Sequence, residues 1–250
     1  MVGKAWVLAA GGLLALWAGR SLAVPATASA QLSVDEVVQR MVAMNYARTE
    51  ALHAYCATRF YHVAYSGLGH QTAEMTVQME YHEPGPKRFT ITAEAGSEML
   101  RHHVLEPLVK AEQSDAQVTS RQGLALGPTN YQFVLLQAPD GHDQHNYVLQ
   151  ATPLSGKHQR FLFHGKVWVD PNDYGIVRIQ GVLPDVPSFW VTRAEFDYHN
   201  QKVGDFWLPE TNDTIAHLRF FGHAVLTIRY GAFRFTSISP VAPLWTGSQP

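Results

Sequence analysis

Only one of the 250 residues is a cysteine, Cys56, so no disulfide framework can staple the fold. No cysteine lies near Ala28-Ser29-Ala30, so a lipid anchor on an N-terminal cysteine is not expected. Charged residues are few, at 16%, yet 46% of the chain is hydrophobic, which excludes a disordered chain and leaves enough apolar surface for a sizeable core. Lysine and arginine are not concentrated on any stretch, which excludes the basic footprint of a nucleic-acid-binding protein. Nucleophile-elbow, P-loop, dinucleotide-binding and zincin motifs are all missing. There is no fixed-period repeat and no linker, so one continuous domain over residues 31–250 is expected.

Long apolar runs are also lacking. Lys4, the apolar stretch Ala5 to Trp17 and the small residues Ala28-Ser29-Ala30 have the order of an export signal, and residues 1–30 are expected to be cleaved. An uncleaved anchor is the competing reading, opposed by Gly11, Gly12, Gly19 and Arg20, which interrupt the run short of a full span. Export combined with a single cysteine points to a bacterial periplasmic protein. Without Lys4 and Arg20 the formal charge moves from −2 to −4, and thirteen histidines leave it sensitive to mild acid.

Beyond that segment the pattern is helix, then strands. Ser33 and Glu36 form a capping box for a helix to about Tyr46, with Val34, Val37, Val38, Met41 and Val42 on one stripe. Period-two alternation predicts strands over 52–65, 72–81 and 88–92, the last two joined through Glu83-Pro84-Gly85-Pro86. A second helical segment is expected from Glu98 to about Gln113, with Pro107 as a kink, followed by a polar loop over 114–128. Further strands are expected at 131–136, 147–151, 161–169, 176–182, 189–198, 206–208, 214–221 and 224–235. Their hairpin-length connections predict an antiparallel meander.

Two features bear on function. Asp140, His142, Asp143 and His145 are close enough in sequence to suit zinc or copper, although a polar hairpin loop explains them as well. The late strands are apolar on both faces. In 161–169 one face offers Phe161, Phe163, Val167 and Val169, and the other Leu162 and Trp168. That calls for a core on one side and cover on the other, either as ordinary two-sided packing or as a curved sheet enclosing an apolar cavity.

Lys166-Val167-Trp168-Val169-Asp170-Pro171, followed by Tyr174-Gly175-Ile176-Val177-Arg178-Ile179, resembles the central hairpin of the LolA/LolB-like superfamily of outer-membrane lipoprotein-sorting proteins. The leading signal, the helix from Val34 and the hairpin from Met75 to Ile91 extend the likeness over nearly all of residues 31–250. The resemblance implies a mainly β fold with helices (α+β): a highly curved antiparallel sheet, or incomplete β-barrel, covered by one or two helices. It implies a carrier of lipid or lipoprotein acyl chains without catalytic residues or cofactor, in transient contact with membranes. An envelope protein partner bound by the same fold is the alternative. Met75, Val77, Met79, Phe89, Ile91, Trp168, Ile179 and Phe220 are the expected cavity-facing residues, or plain core. Pro187 to Trp190 and Gly204 to Pro209 depart from the dedicated carrier and suggest another branch.

Overall fold

Ser33 opens the first helix as its spacing from Glu36 predicts. In the computed structural model, which describes residues 32–67, 69–114, 126–140, 145–154, 162–183, 191–219 and 222–241, both halves of the capping box form. The Glu36 amide donates to Ser33 Oγ at 3.3 Å, and the Ser33 amide donates to the Glu36 carboxylate at 2.9 Å. Helix α1 (Val34–Ala51) runs past the expected Tyr46 and passes directly into strand β1 (Leu52–Gly67). No Gly or Pro stands between 47 and 52 to stop it earlier.

Strand β1 pairs with β2 (Gly69–His82), which pairs with β3 (Arg88–Gly96). The second helical segment follows as α2 (Glu98–Leu100), a π-helical stretch Arg101–Leu105 and α3 (Glu106–Ser114). The π stretch lies just ahead of Pro107, which has no N–H for an i→i−4 bond and whose ring crowds the preceding turn; widening that turn accommodates both. The chain continues through β4 (Tyr131–Gln137), β5 (Tyr147–Pro153), β6 (His164–Val169), β7 (Ile176–Leu183), β8 (Val191–Val203), β9 (Phe206–Leu218), β10 (His223–Tyr230) and β11 (Arg234–Ile238). Every pairing is antiparallel, and the order β3-β2-β1-β10-β9-β8-β7-β6-β5-β4, with β11 also on β1, makes one curved, open sheet of eleven strands. The α+β class and half-barrel plan follow the expectation.

Several strand ends differ from the sequence expectation by a few residues, β6 beginning at His164, β3 running to Gly96 and β8 to Val203, and two differences change the strand count. The expected segments from 206 and from 214 join as one strand that ends at Leu218, because Pro209 sits opposite Asn200 at a register shift, where a missing N–H is tolerated; residues 220 and 221 lie outside the described residues. Conversely, 224–235 divides in two at Gly231, whose amide donates to the Thr58 carbonyl at 2.8 Å, so that β10 and β11 pair with successive parts of β1. Mid-sheet, Gly165 pairs with Gly181; a Cβ on Gly165 would stand 2.1 Å from the Gln180 carbonyl oxygen. Only glycine permits so close an approach, which suits a sharp local bend.

Candidate functional site

Alternation along the strands gives the sheet two faces, and both helical segments lie on the same one. Val37, Val38, Met41 and Met44 of α1 are buried against Tyr131, Leu149, Val167 and Val169. Leu100, Leu105 and Val109 of the second segment are buried against Tyr61, Val63, Met75, Val77 and Ile228. These are separate clusters. Between them, register rows on the same face run Ile179–Tyr198–Asn212–Ile228 and Gly181–Phe196–Thr214–Leu226. Ile179, Phe196, Tyr198, Thr214 and Leu226 are only partly buried. The helix-covered face thus keeps an incompletely covered strip over β7 to β10, apolar except at Asn212 and Thr214 of β9.

The expected cavity residues divide accordingly. Met75, Val77 and Met79 lie on that face with 1% exposure or less, Met75 and Val77 as core beneath the second segment and Met79 in a separate cluster with Tyr55 and Ala57. Phe89 and Ile91 pair with Met79 and Val77 on that face, Ile91 standing exposed at the β3 edge. Ile179 lies in the strip. Trp168 does not: its neighbours Val167 and Val169 face α1, and its ring lies on the opposite face under Arg178, 4.7 Å from the guanidinium carbon. Arg178 in turn makes a two-point ion pair with Asp197 at 2.7 and 2.5 Å. Phe220 lies outside the described residues. Phe196, Tyr198 and Leu226 are not among the expected cavity residues, although Ala194, Phe196 and Tyr198 alternate with Arg193, Glu195 and Asp197 in the way a one-sided strand should.

Polar chemistry pins both covers. On α1, Arg48 is buried, donating to the Asp205 and Asp173 carbonyls at 2.9 and 2.8 Å and pairing with the Asp173 carboxylate at 3.2 Å. The same carboxylate accepts from Lys202 at 2.7 Å, the Trp207 indole at 3.0 Å and the Gly175 amide at 3.0 Å. Gly175 admits no side chain, since a Cβ there would stand 2.0 Å from the Trp207 ring. Tyr174, in the left-handed region at φ 55°, accepts from Arg40 at 2.8 Å. The Asp170-to-Gly175 turn is therefore the socket of α1.

The second segment is held by Glu112 of α3, which pairs with Arg59 of β1. Arg59 is 4% exposed and lies under the rings of Phe89 and Tyr230, at 4.9 and 5.0 Å. Burial opposes its charge, but Glu112 more than reverses this and holds the guanidinium above its ordinary range. Burial, reinforced by Glu112, pushes the Tyr61 phenol up to about 12. Burial likewise raises Tyr198 and Tyr230. All three phenols therefore stay neutral at working pH, as an apolar surface requires.

Asp173 and Asp197 supply a pH prediction. Desolvation raises Asp173, but Lys202, Gly175, Trp207 and Arg48 outweigh it and lower the carboxyl; for Asp197 the Arg178 hydrogen bond is the leading cause of the same shift. A depressed carboxyl stabilises the fold fully above its unfolded pKa of ~4, and that contribution is lost as pH falls through the folded value. Chemical denaturation should show stability falling below about pH 4, with a shallower fall in Asp197→Asn.

Asp140 and His145 are described but residues 141–144 are not. Among the described residues no group of three or more His, Cys, Asp or Glu is placed to hold a metal ion.

No family model matches the chain, and no curated protein matches it in sequence. Among solved structures, a LolA superfamily protein from Nitrosomonas europaea aligns at a TM-score of 0.38 and 10% identity, over 83% of this chain and 96% of its own. A DUF1329 family protein from Desulfovibrio piger aligns at 0.38 and 14% identity, over 81% and 93%. MucB, solved in complex with MucA(peri), aligns at 0.23 and 10% identity, over 84% and 100%. The fold itself stands on strand order and register.

Proposed function

We propose that this chain is a periplasmic binding protein for lipid or lipoprotein acyl chains, which lie along the helix-covered face of the sheet. The observation that carries the reading is the apolar strip of Ile179, Phe196, Tyr198 and Leu226, left partly open between two separately buried clusters. Each acyl methylene buried there is worth about 0.8 kcal/mol, so a chain of ordinary length binds without any polar chemistry. The neutral phenols and the neutralised Arg59–Glu112 pair keep the surrounding surface compatible with hydrocarbon. Residues 1–30 support export, and among the described residues no helix is long and apolar enough to cross a membrane. The binding role requires no catalytic group on this face.

Titration with 11-(dansylamino)undecanoic acid tests the reading. Wild-type protein should enhance the dansyl emission saturably, and Leu226→Glu should weaken binding by roughly tenfold or more, because it sets a carboxylate in the hydrocarbon path. Circular dichroism should be unchanged, Leu226 being only partly buried. Equal binding by the variant would remove the strip from the site.

A further inference from the structure

We propose that Ser239, His53 and Glu83 form a nucleophilic relay that cleaves esters of apolar acyl chains, an activity separate from binding on the helix-covered face. His53 Nε2 lies 2.8 Å from Ser239 Oγ, and His53 Nδ1 lies 2.5 Å from the Glu83 carboxylate. These are the two contacts a serine nucleophile needs: a base within reach of its proton, and a carboxylate on the base's other nitrogen to fix the tautomer and stabilise the imidazolium.

The backbone sets this geometry from three directions. Leu52 pairs with Ile238 and Ala54 with Ser237, so His53 is the extra residue of a β-bulge, a device that re-aims a side chain out of the strand's alternation. Beside it, the Glu83 amide donates to the His53 carbonyl at 2.8 Å, and the Ser239 amide donates to the Ala51 carbonyl at 2.9 Å. Nucleophile and carboxylate are thus each tied by main chain to the start of β1, on either side of the base.

A binding site adjoins the relay. Ser239 lines a cavity of about 410 Å³ with Val203, Phe206, Phe235, Ile238 and Pro240, an apolar wall that suits an acyl chain and no charged substrate. The Gly204–Asp205 turn completes that wall; its backbone amides lie outside the strand ladder and are the donors we assign to the oxyanion. In the reaction, Ser239 Oγ bonds to the ester carbonyl carbon as its proton passes to His53 Nε2. The carbonyl–alkoxy bond then breaks and the alcohol departs with that proton. Water, deprotonated by His53, releases the fatty acid and returns the proton to Ser239. No oxidant, metal or cofactor enters the balance.

The test combines a fluorophosphonate probe with p-nitrophenyl octanoate, applied to the full chain. Stoichiometric labelling should map to Ser239 by peptide mass spectrometry. Ester hydrolysis should fall by about a hundredfold or more in Ser239→Ala and in His53→Ala, and less in Glu83→Gln, which keeps the shape but weakens the imidazolium's support. Labelling elsewhere, or hydrolysis by wild type no faster than by Ser239→Ala, overturns the relay. The relay is read by the mass of the labelled Ser239 peptide and the acyl-binding strip by the dansyl emission of Leu226→Glu, so the two succeed or fail separately.

Discussion

Glu112→Ala is expected to destabilise the protein by about 3 kcal/mol, because it leaves the Arg59 charge buried without its carboxylate. That figure is the lower end of the usual range for a broken buried pair, since the Glu112 side chain is 30% exposed and water can replace part of it. In a domain of this size the midpoint of thermal unfolding should fall by about 6–12 °C. The double variant Arg59→Met/Glu112→Leu should recover most of the loss, since two apolar groups of similar volume need no mutual compensation. If the single and double variants were equally unstable, packing rather than charge would be holding α3. The single variant should also bind a hydrophobic dye more strongly, as α3 loosens from the Tyr61–Met75–Val77 surface beneath it.

Asp173→Ala should have a similar effect, about 2–4 kcal/mol, for a different reason. It removes the acceptor shared by Lys202, Trp207 and the Gly175 amide, and it strips Arg48 of the Asp173 carboxylate while two backbone carbonyls remain. Gly175→Ala attacks the same socket sterically, by displacing the Trp207 ring from Asp173. The two changes should therefore be far from additive, each undoing contacts the other needs. Additive losses in denaturant titrations would mean that the turn does not act as one unit.

The elements legible in sequence were those governed by local rules. Ser33 and Glu36 placed the first helix, and Asp170-Pro171-Asn172-Asp173 with Gly175 placed the central hairpin. What those local signals concealed was purpose. The hairpin turn supports α1 through Arg48 and Asp173, partners 125 positions apart, and no window of sequence relates them. Trp168 is expected in the cavity, whereas alternation with Val167 and Val169, which face α1, places it on the far face. Arg59 reads as a polar member of an amphipathic strand until register sets it against Tyr230 and Val77 beneath Glu112. His53, Glu83 and Ser239 share no motif at all. They meet because β1 pairs on one side with β2 and on the other with β11.

The most direct measurement is native mass spectrometry of the protein purified from its own host without detergent. Acyl binding predicts an added mass that dissociates as lipid on collisional activation and is reduced in Leu226→Glu. A lipid-free mass in every preparation, together with no uptake of dansyl fatty acid, would contradict it and leave the same sheet as a surface for an envelope protein partner.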